Sequence, residues 1–239
     1  MLYGIHGYLG SGKTLLSTLI VEDYFFKGFT VYSNITLNFP SVTFQEVKEY
    51  YVSIMKPCPQ RLLDWGQAPV IKPLNVDELM NKALFAKPLD EPMVVLQGDE
   101  WQMFMDSRRS QDTTNVVNSY FLFQTRKRHT HFVYTAPKRG LNDVRLRDST
   151  NVAFLAEKKH RLKNEVGQFK EGKVCYDNEC EKEHMFKYVE IDLYLMKAKT
   201  VKLWEPEKLY GLYDTEQMVS PFSAYSEQEI EQAIGKSKQ

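Results

Sequence analysis

Residues 7–14 of this 239-residue chain read Gly7-Tyr8-Leu9-Gly10-Ser11-Gly12-Lys13-Thr14, a complete match to G-x-x-x-x-G-K-[ST]. The surroundings of the match constrain the fold as much as the match itself. Leu2-Tyr3-Gly4-Ile5-His6 ahead of it is short and apolar enough for a buried strand, and Leu15-Leu16-Ser17-Thr18-Leu19-Ile20-Val21 behind it continues as an apolar helix. Strand, glycine loop and helix in that order make a phosphate cradle. The glycines let backbone N–H groups curl around a phosphate, and the helix N-terminus adds its dipole. In such a loop Lys13 reaches the β- and γ-phosphates and the Thr14 hydroxyl ligates Mg²⁺. The expected ligands are ATP and Mg²⁺, held by Gly7 to Thr14.

A second segment says what is done with the nucleotide. Met93-Val94-Val95-Leu96-Gln97 reads as a strand bounded by Pro92 and Gly98, and Asp99-Glu100 follow it. Ligand crevices lie at the C-terminal ends of parallel strands. Asp99 is placed to hold a water of the Mg²⁺ shell, and Glu100 to polarise an attacking water. A glutamate in that position favours hydrolysis over transfer to an acceptor. Thr135 ends the next strand, His131-Phe132-Val133-Tyr134-Thr135. Its hydroxyl has two readings: a contact to the γ-phosphate or attacking water, or a strand end satisfying its own backbone.

Between these motifs the chain alternates strand and helix patterns. Thr30–Ile35 reads as a strand, Val42–Met55 as a helix, and the proline-rich stretch from Pro57 to Pro73 as a surface excursion. Asn75 or Asp77 caps a predicted helix carrying Leu79, Met80, Ala83 and Leu84, and a further helix is predicted from Asn115 to Arg128. Alternation of this kind predicts an α/β fold with a parallel sheet covered on both faces. After Asn151 the style changes. Asn151–Ala156, Lys173–Tyr176, Met185–Leu195 and Thr200–Trp204 read as strands of antiparallel hairpins, with a weak helix at Glu227–Ile234. We divide the chain into a core, 1–155, and a C-terminal hairpin extension with a polar tail, 156–239.

The formal net charge is zero, with 31 basic and 31 acidic residues, so no overall basicity points to nucleic acid. The charge is uneven, however. Arg126, Lys127, Arg128, Lys138, Arg139, Arg145 and Arg147 face a single acid, Asp143, a local excess of +6. A run of this kind is either a solvated face or a polyanion contact. Arginines supplied by a neighbouring subunit can stabilise charge on a transferring phosphate. Arg108, Arg109, Arg126 and Arg128 are the candidates, Arg108 being favoured for that role. The Arg126–Arg128 cluster suits subunit or DNA contact.

Cys58, Cys175 and Cys180 form no disulfide framework and suggest a reducing compartment. Cys175-x4-Cys180-x3-His184 offers three zinc ligands, but no fourth is evident in the sequence, and free thiols on a hairpin are the preferred reading. No stretch approaches the ~20 apolar residues of a membrane span. The first strand begins at once, which leaves no room for a signal peptide. A cytoplasmic setting is expected.

Taken together, these motifs resemble the FtsK–HerA superfamily of hexameric DNA translocases. The elements that carry the resemblance are the glycine loop, the strand ending in Asp99-Glu100, the arginine-bearing Asp106-Ser107-Arg108-Arg109-Ser110, the helix running into Arg126-Lys127-Arg128, and the strand ending in Thr135. More narrowly, the chain resembles compact Zot-like and viral genome-packaging ATPases, including those of archaeal icosahedral viruses. Leu209-Tyr210-Gly211-Leu212-Tyr213-Asp214-Thr215 is similar to a Tyr-Asp-Thr ending in Zot-like chains. The likeness spans Leu2 to Phe154 and that short piece. The family usually carries glutamine in the strand that ends here in Thr135-Ala136-Pro137.

The resemblance implies a RecA/FtsK–HerA-like P-loop NTPase core, assembly into a hexameric ring, and double-stranded DNA as a partner. With it come a viral capsid as a further partner and a host-cytoplasmic or virion-associated location. On this reading Arg108 or Arg126 acts in trans, and Arg128, Lys138, Arg139, Arg145 and Arg147 contact DNA. Two other readings stand beside it. One is a Zot-like phage assembly or secretion ATPase, although such proteins commonly carry a transmembrane helix. The other is a thymidine-kinase-like nucleoside kinase, since Asp99-Glu100-Trp101-Gln102-Met103-Phe104 is similar to its D-E-x-Q-F run.

Overall fold

The computed structural model of the chain describes residues 1–75, 91–109, 113–125, 127–214 and 217. The strands are β1 (Leu2–His6), β2 (Thr30–Ser33), β3 (Ile71–Pro73), β4 (Val94–Gly98), β5 (Thr130–Ala136), β6 (Val152–Lys163), β7 (Phe169–Val174), β8 (His184–Asp192) and β9 (Lys197–Leu203). The helices are α1 (Lys13–Phe26), α2 (Phe44–Ser53), α3 (Gln60–Trp65), α4 (Thr113–Gln124) and α5 (Val144–Ser149). The helices predicted near Leu79–Leu84 and at Glu227–Ile234 lie outside the described residues, as do Arg126 and Thr215.

All nine strands among the described residues join one sheet in the order β3-β2-β4-β5-β1-β6-β8-β9, with β7 paired to β6. From β3 to β6 every pairing is parallel, whereas β7, β8 and β9 are antiparallel to their neighbours. This is the α/β core with C-terminal antiparallel hairpins that the sequence predicts. Strand alternation sends side chains to two cores. Val95 and Val133 join Ile5, Leu15, Val21 and Phe25 under α1. Their neighbours Val94, Leu96, Phe132 and Tyr134 join Leu122 and Leu146 of α4 and α5 on the other face. Burial on both faces explains why β4 reads as an unbroken apolar run.

β6 is the strand on which the two halves meet. Its first residues pair with β1, from Tyr3↔Val152 to His6↔Leu155, while its other edge pairs with β8 as far as His160↔His184. Beyond the end of β1, the edge that β1 has left is taken up by β7, from Lys159↔Val174 to Lys163↔Phe169. The sheet therefore continues without a break across residue 155. β6 also runs seven residues further than the predicted Asn151–Ala156, because its outer half is a ribbon with charged faces that carries no apolar run.

Two other elements differ from the sequence reading. The stretch from Pro57 to Pro73 holds α3 and the edge strand β3, whose Pro73 is tolerated because an edge strand needs no donor on its outer side. α5 sits inside the basic run. Its N-cap Asp143 accepts a hydrogen bond from the Arg145 N–H at 2.9 Å.

Gln97 ties β4 to α1 within the core. Its side chain is fully buried, and its amide Nε2 donates to Ser17 Oγ at 2.8 Å and Thr18 Oγ1 at 3.2 Å. Removing one partner of a buried hydrogen bond costs about 1–3 kcal/mol. Gln97→Leu is therefore expected to lower the unfolding free energy by about that amount, read from urea denaturation. An unchanged midpoint would contradict the assignment of this amide as a core tie.

Candidate nucleotide site

β1 delivers the chain to Gly7, and the loop from Gly7 to Gly12 turns it into α1. Gly10 and Gly12 have φ of 73° and 83°, the left-handed region that glycine occupies without strain. Space demands glycine too. A Cβ at Gly7 would lie 2.5 Å from the Ala156 carbonyl, and one at Gly12 would lie 2.8 Å from the Phe186 ring. The loop backbone thus lies against β6 and β8, and Tyr188 Oη donates to the Gly12 carbonyl at 3.1 Å. Gly12 caps α1 without any side-chain hydrogen bond. The first N–H groups of a helix have no intrahelical partner, so this end is open to an anion. Lys13 folds back over the loop and donates from Nζ to the Tyr8 carbonyl at 3.0 Å. Leu9 is exposed at the loop tip, whereas Ser11 is fully buried.

β5 lies between β1 and β4, so the end of β5 separates the loop from the acidic pair. Thr135 fills that position. Its hydroxyl donates to Asp99 Oδ1 at 2.7 Å and accepts the Glu100 N–H at 2.9 Å. From the other side Thr14 Oγ1 donates to the same carboxylate, at 3.0 Å and 3.2 Å from its two oxygens. Asn34, just after β2, closes the arrangement. It donates to the Asp99 carbonyl at 2.9 Å and accepts the Asp99 N–H at 2.7 Å. Asp99 is thereby fixed from two neighbouring strand ends and a helix.

Electrostatics follow from this burial. Desolvation raises the Asp99 pKa, against the hydrogen bonds of Thr135 and Thr14 and the charge of Lys13. Desolvation lowers that of Lys13, against the charges of Asp99 and then Glu100. Both acids therefore sit within electrostatic reach of the lysine. Glu100 occupies the left-handed region at φ 48° and ψ 43°. A non-glycine residue there costs on the order of 1 kcal/mol, a strain that concentrates at functional sites.

Of the arginine candidates, Arg126 lies outside the described residues. The Arg108 guanidinium is exposed and held by Asp106, with Nη2 to Oδ2 at 2.5 Å. Arg128 donates to Gln124 Oε1 at 2.7 Å and precedes β5, while Lys138 and Arg139 follow that strand and are exposed. β5 is seven residues long, so its ends lie roughly 20 Å apart at the usual strand rise. Lys127 and Arg128 thus lie before β5, and Lys138 and Arg139 lie after it, at the end that carries the glycine loop. Arg145 and Arg147 lie on α5, which packs on one face of the sheet, with Arg145 against Ser119 of α4.

Sequence reading missed Asn34, which belongs to no motif. It placed Tyr8 in the loop and Tyr213 in the Zot-like segment, without their contacts. Tyr8 Oη accepts the Lys158 N–H at 2.7 Å and sits 2.8 Å and 3.0 Å from the carbonyls of Lys158 and Cys175, covering the edge of β6 where β1 ends. Tyr213 belongs to the segment that resembles the Tyr-Asp-Thr ending. It bridges to Leu37, and its phenol is pushed up to about 12 by burial, Tyr210 and Asp99.

The fold has solved counterparts. The N-terminal domain of zonular occludens toxin from Neisseria meningitidis superposes with a TM-score of 0.50 at 17% identity, covering 89% of this chain and 98% of that one. The fold is that of a P-loop NTPase. The genome packaging NTPase B204 from Sulfolobus turreted icosahedral virus 2, in complex with ATP-gammaS, aligns at 10% identity over 85% of this chain and 97% of its own, with a TM-score of 0.47. The ATPase domain of G40P aligns at 12% identity over 90% and 84%, with a TM-score of 0.44. Neither a family model nor a curated protein matches the sequence.

His6, the last residue of the strand entering the P-loop, is buried, and its pKa is pushed down to about 4 by burial and then by Arg139, with the Ala136 backbone opposing. The unfolded chain therefore binds more protons than the folded one between about pH 4 and 6.5. This contribution is complete above the unfolded value and is lost as pH falls through that window. Wild type should lose more stability than His6→Asn between pH 7 and 5, read from urea midpoints. Parallel curves would contradict the assignment.

Proposed function

We propose that this chain hydrolyses ATP and couples hydrolysis, in a ring of copies, to movement of double-stranded DNA into a viral capsid. The observation that carries the nucleotide part is the Thr14 hydroxyl 3.0 Å from the Asp99 carboxylate, beside an uncapped helix N-terminus. A hydroxyl and a carboxylate brought together beside a phosphate cradle form an all-oxygen donor set that fits Mg²⁺. When bound there, Mg²⁺ neutralises charge on the β- and γ-phosphates.

The chain's own residues do the rest. Backbone N–H groups of Gly10 to Thr14 orient the phosphates, and the Lys13 ammonium leaves the Tyr8 carbonyl for the γ-phosphate. The Glu100 carboxylate takes a proton from the attacking water. Thr135 holds Asp99 and the Glu100 backbone in register and excludes bulk water from between them. Arg108, released from Asp106, or Arg126 supplies positive charge from a neighbouring copy.

The DNA part rests on the sequence resemblance, on Lys138 and Arg139 at the loop's end of the sheet, and on Arg145 and Arg147 of the neighbouring α5. Contacts made by such residues grip phosphates without reading bases. A second reading, a Zot-like assembly or secretion ATPase, draws on the fold likeness to the zonular occludens toxin domain. No helix among the described residues is long and apolar enough to cross a membrane.

Turnover measured with and without linear double-stranded DNA tests the proposal. ATPase activity that rises with DNA supports the translocase. A DNA-indifferent rate with phosphorylation of a free nucleoside would hand the case to a kinase. Lys13→Ala is expected to weaken nucleotide binding. Glu100→Gln should keep binding and lose about 100-fold or more in kcat, the usual contribution of a general base. Wild-type turnover in Glu100→Gln removes that residue from the mechanism. DNA binding should weaken steeply with salt, and neutralising Lys138, Arg139, Arg145 and Arg147 together should reduce the log–log salt slope by about 3–4. Mixing Lys13→Ala with Arg108→Ala chains should restore part of the activity, and failure with every candidate arginine excludes a shared site.

A further inference from the structure

Four metal-ligating side chains converge beside the P-loop, where the sequence supplied only three. Cys175, Cys180 and His184 are joined by His160, and the ligand atoms of all four lie within 4.8 Å of one another. The topology explains why spacing alone could not find the fourth. His160 lies on β6 and is the register partner of His184, the first residue of β8, while Cys175 immediately follows β7 and Cys180 lies in the turn between β7 and β8. β6 and β8 thus bring one imidazole each, and the turn brings two thiols.

The local chemistry is that of a soft tetrahedral site. Cys180 Sγ is 3.6 Å from His160 Nε2, and the two imidazole centroids are 5.4 Å apart. Ligands at 2.3 Å for sulfur and about 2.0 Å for nitrogen are separated by roughly 3.3–3.8 Å around a tetrahedral ion. The cluster is therefore within a small contraction of that geometry. Cys175 is 4% exposed, and His184 Nε2 is buried with no hydrogen-bond partner. A buried imidazole nitrogen with no partner beside two thiols is poorly satisfied by protein alone. Two thiolates and two imidazoles select zinc among the common divalent ions.

We propose that His160, Cys175, Cys180 and His184 bind one structural Zn²⁺ that clamps the turn between Cys175 and Cys180 onto the P-loop. Residues inside that turn also touch the loop. The Tyr176 ring lies 4.8 Å from that of Tyr8, and Asn178 Oδ1 stands 2.4 Å from where a Cβ on Gly10 would be. The Cys175 carbonyl is itself 3.0 Å from Tyr8 Oη. Closing the turn with a metal fixes this contact without further core, and four protein ligands make the site structural, with no open position for catalysis. The proposal is independent of what the P-loop does with its nucleotide.

The test uses the full chain, purified from zinc-supplemented culture without added chelator. One equivalent of zinc per chain is expected by elemental analysis, retained in Cys58→Ser and lost in Cys175→Ser and Cys180→Ser. Because the variants could fail to fold, the wild-type apo chain is also titrated with Co²⁺. Intense tetrahedral d–d bands and thiolate-to-cobalt charge transfer saturating at one equivalent support the site. Amide hydrogen exchange across Tyr8–Gly12 should accelerate at least several-fold when zinc is removed. A zinc-free wild type that gives only octahedral cobalt spectra overturns the site. Equal zinc loss in Cys58→Ser would do the same, and unchanged exchange on metal removal would overturn the clamp.

Discussion

The Asp99 carboxylate is the point on which the rest of the site depends. It is buried, and burial alone would push it toward the neutral form. It meets two hydroxyl donors and a nearby ammonium, and its backbone is fixed at both polar groups by Asn34. Each partner comes from a different element: Thr14 from α1, Thr135 from β5, Asn34 from the end of β2. Sheet order is thus written into one side chain. A slip in any of these strands by one residue would turn its hydroxyl or amide to the opposite face.

The C-terminal hairpins add a second layer of constraint. β1 stops at His6 because the chain must turn to form the loop, which leaves the outer half of β6 without a neighbour. Tyr8 covers the first step of that edge, β7 takes the next, and Phe186 and Tyr188 of β8 close on Gly12. The P-loop is consequently packed between the parallel core and the antiparallel extension. Motion of the extension would be felt at Gly10 and Gly12, where the backbone has no room for a side chain.

The legible part of this architecture was the part governed by local rules. The P-loop, β4 with its acids, and β5 are short segments whose type follows from apolar runs bounded by glycine, proline or charge. The sheet's parallel core followed from their alternation with helices. What was not legible depended on partners distant in sequence. Asn34 is an ordinary polar residue until β4 is placed beside it, and Tyr8 is only a variable position of the loop until β6 is. The basic run read as one patch because sequence does not show that β5 passes through its middle and carries its two halves apart. His160 lies 15 residues before Cys175 in sequence, yet β6 and β8 set it opposite His184. β3 and α5 are too short for periodicity to declare itself.

The proposed hydrolysis requires Thr14 and Asp99 to form, with ATP, a single Mg²⁺-dependent site. Calorimetric titration of a slowly hydrolysed ATP analogue into wild type and Asp99→Asn, each with Mg²⁺ and with EDTA, tests this most directly. The account predicts that Mg²⁺ tightens wild-type binding by about tenfold or more, roughly 1.4 kcal/mol, and that Asp99→Asn largely loses this gain. Wild-type affinity that is indifferent to Mg²⁺, or an Asp99→Asn chain that gains as much as wild type, would contradict it.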